Sequence, residues 1–283
     1  MQKVIVICGP TASGKTALSI ELAKKINGEI VSADSMQIYD EMSIGTAKPD
    51  KEEMQGIKHY LVGTVSPSKR YSVSEYKKDA ICAIEEIISN KKSPIVVGGT
   101  GLYVNSLIYG IDYPEIETDL KYRAELEEMA NEKGLEYLYK MAKEIDEEAM
   151  KNISVNDKKR IIRVLEIYKE KRKTKTELEI ESRKNGIPYE YKVFAINMPR
   201  EILYDRINKR VDIMIEKGLI EEVEQLYSKY GKQLCTAAQG IGYKEVIDYL
   251  NKEITKEEMI EKVKMETRRY AKRQLTWLEK YLI

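Results

Sequence analysis

Hydrophobic positions fall into two regimes along the chain. From residue 1 to about 112, short β-branched runs alternate with stretches of helical periodicity, the pattern of a parallel sheet with helices on both faces. Val4 to Ile7 predicts a first strand, Thr16 to Ile26 the helix after it, Glu29 to Ser32 a second strand and Ile95 to Val97 a later one. From about Pro114 to Pro188 the strand signal vanishes. Leu120 to Glu132 predicts a helix stopped by Gly134, another helix starts at Leu135, and Asn156 or Asp157 caps a third from Lys158 to Lys171. A strand returns at Lys192 to Ile196, and helices dominate to the end. Residues 1–112 and 190–283 are therefore expected to form the core, with a helical insertion domain at 113–189.

Between the first strand and its helix the chain reads Gly9-Pro10-Thr11-Ala12-Ser13-Gly14-Lys15-Thr16. This is a phosphate-binding loop in the strand–loop–helix frame that the motif needs. Gly9 and Gly14 let the backbone turn N–H groups inward on a diphosphate at a helix N-terminus. Lys15 adds a point charge, and Thr16 can place a hydroxyl on Mg²⁺. The fold class follows: α/β, a P-loop NTPase-like parallel sheet flanked by helices, with a small all-helical insertion.

One acid is missing. In a P-loop ATPase or switch, the strand Ile95 to Val97 would end in an Asp that holds the metal. Here it runs into Gly98-Gly99-Thr100-Gly101-Leu102-Tyr103, and the carboxylate comes from an earlier strand end, in Ser32-Ala33-Asp34-Ser35-Met36-Gln37-Ile38-Tyr39. A chain that cradles a diphosphate while aiming a carboxylate, an amide and a hydroxyl at a second substrate reads as a transferase.

Charge changes the picture little. Charged residues make up 34 % of the 283, yet the net charge is only +1, so any nucleic-acid site must be a local patch. Cys8, Cys82 and Cys235 lack metal or redox spacing and read as small buried hydrophobes, and the single His59 reads as structural. No charged-then-apolar leader opens the chain and no apolar run approaches the roughly 18 residues of a membrane span, so a soluble cytoplasmic protein is expected. No heptad or long apolar stripe calls for a partner copy, which favours a monomer.

These segments resemble the successive motifs of the tRNA dimethylallyltransferase family, also called tRNA isopentenyltransferase, of bacterial type. The likeness runs through the 9–16 loop, Ser32 to Tyr39, Ile44-Gly45-Thr46-Ala47-Lys48-Pro49, Val97 to Tyr103, Asn156 to Glu166, Gln239 to Glu245 and Thr267 to Trp277. It spans essentially the whole chain, and departs from the family's usual ending at Leu278, where an aromatic often follows the Trp. The resemblance implies transfer of a dimethylallyl (isopentenyl) group from dimethylallyl diphosphate to the exocyclic amine of the adenosine adjacent to the anticodon in tRNA, with Mg²⁺ as cofactor. It makes residues 9–16 the diphosphate- and nucleotide-binding loop, ATP included.

Chemistry assigns parts to the same residues. An adenine amine is a poor nucleophile, and Asp34 is the carboxylate placed to take its proton. Lys15, with Mg²⁺ on Thr16, can stabilise the departing diphosphate. The family implies that Thr100 positions the amine and that Asp34, Ser35, Met36 and Gln37 touch tRNA; the Gln37 amide suits a bidentate adenine contact. A flipped target base is expected, with the RNA held at Arg123 and along Lys159, Arg160, Ile161, Ile162 and Arg163, the two isoleucines anchoring their helix. Arg206 with Arg210 either reach the diphosphate or RNA, or make surface salt bridges; Arg268 to Arg273 form a basic helix face, and Lys169 to Lys175 a solvated helix end. The rival readings are a P-loop small-molecule kinase, a prenyltransferase of free adenine nucleotides, and a non-catalytic RNA-binding switch.

Overall fold

A computed structural model describes residues 1–114, 116 and 119–281. The chain divides into two compact units, residues 1–108 with 188–283, and residues 109–187.

The first unit is built on strands β1 (Lys3–Cys8), β2 (Gly28–Ala33), β3 (His59–Tyr60), β4 (Ser93–Gly98) and β5 (Glu190–Ala195). They form one sheet in the order β3-β2-β4-β1-β5, every pair parallel. The crossovers carry helices α1 (Lys15–Ile26), α2 (Lys51–Met54), α3 (Val73–Ser89) and α4 (Gly101–Ile108).

Side chains alternate across the sheet, so a strand covered on both faces reads as one continuous apolar run. Val4, Val6, Val31 and Val96 face Tyr76, Ala80, Ile84 and Ile87 of α3 and Val104 and Leu107 of α4. Ile7, Ile30, Ile95 and Val97 face the other way, onto Ile20 and Ala23 of α1.

The second unit holds α5 (Leu120–Lys133), α6 (Leu135–Ile145), α7 (Glu147–Met150), α8 (Lys158–Lys171) and α9 (Lys175–Arg183). Leu126, Leu138, Ala142, Ile161, Ile162 and Leu165 make its own core. Asp157 is the cap of α8: its side chain accepts from the Arg160 N–H at 3.1 Å. The charged run from Lys169 spans the turn between α8 and α9, where Arg172 adopts a left-handed φ of 53°. Its lysines pair locally, Lys169 with Asp119 and Lys173 with Glu181.

The chain then returns to the first unit through β5, α10 (Arg200–Glu216), α11 (Leu219–Tyr230), α12 (Tyr243–Leu250) and α13 (Lys256–Leu278). Among the described residues no helix is long and apolar enough to cross a membrane. The expectation that all three cysteines are buried needs correcting. Cys8 is buried, Cys235 is partly so, and Cys82 is exposed on the outer side of α3, where its small side chain costs little in water.

At Gly98 the sheet tolerates no side chain: a Cβ there would lie 2.1 Å from the Ala33 carbonyl oxygen of β2. Backbone on a central strand cannot swing aside as a side chain can. Gly98→Ala is therefore expected to lower stability by at least about 1–3 kcal/mol, the usual cost of overpacking. Urea unfolding reads this directly, and a wild-type midpoint would show that β2 and β4 can spread.

Candidate active site

Cys8, Gly98 and Ala33 stand side by side in register as the last residues of β1, β4 and β2. Each is followed at once by residues that carry chemistry, since loops at the carboxyl ends of parallel strands converge on one edge. The 9–16 loop leaves β1, Asp34 leaves β2 and Thr100 leaves β4.

The 9–16 loop wraps around its own lysine. Lys15 donates to the Pro10 carbonyl at 2.6 Å, and Gly14 takes a left-handed φ of 89° to turn the chain into α1. Burial pulls the Lys15 ammonium down to about 8, the Asp34 charge opposing and Arg210 reinforcing the shift. Ser13 is buried, and among the described residues its hydroxyl has no hydrogen-bond partner. An orphan hydroxyl and a buried cation on the loop that opens a helix are what an anion would complete. Loop, Lys15 and exposed Thr16 line a cavity of about 770 Å³, with Lys48, Asp50, Glu53, Arg206 and Arg210 among its other walls.

Asp34 lines a second cavity, of about 310 Å³. One of its oxygens accepts from the Met36 N–H at 2.9 Å and the Gln37 N–H at 3.2 Å, so the carboxylate caps its own turn. That fixes its direction. Asp34, Ser35 and Met36 line the cavity together with Thr11, Arg210, Tyr243, Tyr270 and Arg273. Thr100 holds this turn from the neighbouring strand: its Oγ1 accepts from the Ser35 N–H at 3.0 Å and donates to Ser35 Oγ at 3.3 Å. Burial, and after it the Asp34 charge, push the Tyr270 phenol up to about 12, while its Thr100 and Gln274 neighbours pull it back. Arg210 and Met214 border both cavities.

Gln37 is used differently from the expectation. Its amide nitrogen donates to the Thr46 and Ala47 carbonyls, each at 3.1 Å. With both N–H groups spent on the 44–49 segment, the bidentate adenine contact is not available in this arrangement. The amide organises a loop instead. Glu222 of α11 grips the same loop, accepting the backbone N–H groups of Ser43, Ile44 and Gly45 at 2.8, 2.7 and 3.1 Å, and the Tyr243 hydroxyl at 2.6 Å.

The late basic residues separate into tied and open ones. Arg210 is half-buried and reaches the Thr11 hydroxyl at 3.4 Å, which puts it on the 9–16 loop rather than in a surface pair. Burial lowers its affinity for its proton, and the Asp34 charge resists that. Arg206 is exposed at the rim of the larger cavity. On α13, Arg268 is bound to Asn208 at 2.5 Å and Arg269 to Glu266 at 2.6 Å, whereas Arg273 lies 5.7 Å from the Tyr270 ring centroid.

Within the second unit, Arg123 makes a two-pronged pair with Glu166, Nε to Oε1 at 2.7 Å and Nη2 to Oε2 at 2.8 Å. Arg163 approaches the same carboxylate at 3.7 Å and donates to the Pro114 carbonyl at 3.4 Å. Glu166 is buried, so these two arginines balance a buried charge. Ile161 and Ile162 are buried as well, as anchors should be. Lys159 and Arg160 are exposed, Arg160 sharing only a surface pair with Asp157 at 3.3 Å.

The IPP transferase family model matches residues 37–281. The chain belongs to the IPP transferase family. A tRNA dimethylallyltransferase of Acetivibrio thermocellus is 52 % identical over 280 residues, which is 99 % of this chain and 90 % of that protein. Crystallised full-length tRNA isopentenylpyrophosphate transferase of Bacillus halodurans is 44 % identical, with a TM-score of 0.71 over 98 % of this chain and 87 % of that one. A eukaryotic dimethylallyltransferase acting on tRNA is 33 % identical, with a TM-score of 0.80 over 98 % of this chain and 70 % of that one.

Tyr243 and Tyr270 line the candidate site and Glu222 and Gln274 brace its loops, although no motif chemistry singled them out. Three of them carry a signal in hindsight. Tyr243, Tyr270 and Gln274 fall inside the late segments Gln239 to Glu245 and Thr267 to Trp277. Glu222 falls in none of these segments, and three of its four partners are backbone N–H groups.

Lys15 gives the site a pH signature. The cation is the form that attracts an anion, and in the free protein it is lost as pH rises through about 8. Affinity for sulfate, which does not titrate there, should be level below that pH and fall above it. Lys15→Met should bind weakly with no such step. Calorimetric titration at several pH values measures both, and a flat wild-type profile would take Lys15 out of the anion site.

Proposed function

We propose that this enzyme transfers a dimethylallyl group from dimethylallyl diphosphate to the exocyclic amine of the adenosine adjacent to the anticodon in tRNA. One observation carries the reading. Two cavities share the Arg210 and Met214 wall, one with an anion cradle around Lys15 and Ser13, the other with the Asp34 carboxylate directed into it. A donor that leaves as an anion and an acceptor that loses a proton need this pairing of sites. The names and tRNA substrates of relatives up to 52 % identical support the same choice, and a tRNA substrate makes the cytoplasm the place of work.

The diphosphate would lie against the 9–16 loop, its charge met by Lys15, Arg210 and the backbone N–H groups at the start of α1. Thr16 is the side chain that would hold Mg²⁺. Among the described residues no group of three or more His, Cys, Asp or Glu gathers for a metal, so phosphate oxygens and water would fill most of its shell, which suits this ion. Bound there, Mg²⁺ would neutralise charge on the leaving diphosphate. The base would enter the smaller cavity after leaving its stack. Asp34, with one oxygen committed to its turn, would present the other to the amine and take its proton as the new carbon–nitrogen bond forms. Strand β4 ends in Gly98 rather than an acid, which favours prenyl over phosphoryl transfer.

Asp34→Asn is the decisive variant, because the amide oxygen keeps the turn capped while the base is lost. Turnover should fall by about 100- to 10,000-fold, with both substrates still bound. Mass analysis of nucleosides from tRNA incubated with dimethylallyl diphosphate and Mg²⁺ reads the product. A variant within threefold of wild type would remove Asp34 from the chemistry.

The RNA footing is narrower than motif matching implies. We place phosphate contacts at Lys159 and Arg160, which are exposed, and not at Arg123, whose guanidinium is paired through Nε and Nη2 with Glu166. Lys159→Ala/Arg160→Ala should shallow the salt dependence of tRNA affinity by about one unit of slope or less per charge. Arg123→Ala should instead destabilise the insertion, by less than the roughly 3–5 kcal/mol of a wholly uncompensated buried charge because Arg163 stays beside Glu166. Binding titrations across salt and thermal unfolding separate the two, and an unchanged slope in the double variant would leave α8 a solvated face.

A further inference from the structure

Gln274 of α13 spans two of the three strand-end loops. Its Oε1 accepts the Thr11 N–H at 2.8 Å, and its Nε2 donates to the Gly99 carbonyl at 3.0 Å. The side chain is only 5 % exposed, so water cannot substitute for either bond at low cost. The fit is close enough that a Cβ on Gly99 would lie 2.2 Å from Nε2. Thr11 belongs to the anion cradle, and Gly99 precedes Thr100, which holds the Asp34–Gln37 turn through Ser35.

One amide therefore joins the two substrate loops through hydrogen bonds of opposite sense. The next contact along the helix reports on the same loop. Trp277, the single tryptophan of the chain, packs its ring against Gly101 so tightly that a Cβ there would lie 2.6 Å from it.

We infer that Gln274 is a positioning residue that sets the distance between the donor loop and the acceptor loop, so that occupancy of one fixes the other. It touches neither reacting atom. Its effect belongs on the transfer step rather than on either affinity, since misplacement of aligned reactants slows reaction far more than binding. The inference rests on the proposed transfer for its kinetic half; its structural half rests on the two Gln274 hydrogen bonds and is read at Trp277.

Two variants test it. Gln274→Met keeps the volume and removes both bonds. It should slow single-turnover transfer by about 10- to 100-fold, while affinities for dimethylallyl diphosphate and tRNA, measured separately, stay within about threefold. Gln274→Glu keeps the acceptor for Thr11 but, when ionised, sets an oxygen against the Gly99 carbonyl. Protonated, it regains an O–H donor and copies the amide. Its deficit relative to wild type should therefore shrink as pH falls, a rescue that a merely structural side chain would not show. Inorganic diphosphate should change Trp277 emission in wild type and not in Gln274→Met, or not in Gln274→Glu at high pH where the methionine variant does not fold.

Wild-type transfer in Gln274→Met, a rate loss matched by lost affinity, a pH-independent deficit in Gln274→Glu, or an emission response equal in wild type and variant would each overturn the inference. Wild-type protein that makes no prenylated nucleoside sinks the proposed reaction instead, and the emission experiment still decides the coupling.

Discussion

Three neighbouring strands end level with one another, and the site depends on that. Ala33, Gly98 and Cys8 lie in one row across β2, β4 and β1. Parallel strands are spaced by about 4.8 Å, so the residues leaving them fall within a span of roughly 10 Å. A one-residue slip of β2 would turn Asp34 to the other side of its strand. Register is held by continuous apolar strands pinned between α1 and the α3–α4 pair, and by the bare Gly98 backbone pressed on Ala33. The catalytic geometry is a property of the sheet before it is a property of any loop.

That frame was legible in the sequence because its signals are local. The predicted strands and helices reappear with ends shifted by one or two residues, α1 starting at Lys15 rather than Thr16 and β5 at Glu190 rather than Lys192. The helix Lys158–Lys171 appears at the predicted bounds, since an Asp cap and a left-handed exit leave clear marks on residue choice. Strand β3, only His59 and Tyr60, was not legible: two residues carry no periodicity. Nor were the partners of the named residues. Gln37 was readable as an amide near the site, but whether its nitrogen meets a base or the Thr46 and Ala47 carbonyls is decided by a loop closure that sequence spacing does not encode. Glu222 lies some 180 residues from the segment it grips, with Ser43 as its partner at 2.8 Å.

Pairing decides how much of the insertion's positive charge faces outward. Of the basic residues suggested by motif matching in the insertion, Arg123 and Arg163 converge on one buried glutamate. Such a cluster fixes local geometry more than it adds to stability. Its one carboxylate offsets one of the two guanidinium charges. Among the residues that motif matching suggested, Lys159 and Arg160 in the insertion and Lys272 and Arg273 on α13 are exposed, which is how a chain of net charge +1 can still offer local positive footing.

Asp34 shows why position and pairing must be argued together. A carboxylate that caps a turn and one that removes a proton are usually weighed as alternatives, yet under the proposed reaction the two oxygens would divide the tasks. Two backbone N–H groups hold one oxygen, and the turn they close is itself tied by Ser35 to Thr100 on the adjacent strand end. The remaining oxygen can then be aimed without cost at the moment of reaction, which is the condition under which a fixed group is most effective. Across the wall, Lys15 is weakened as a cation by burial and by Arg210, while Asp34 sustains it. An anion arriving at the loop would strengthen the lysine charge, and departure of that anion would weaken it again. The proposed donor and acceptor sites would thus feel one another through charge as well as through the backbone that their shared row of strand ends supplies.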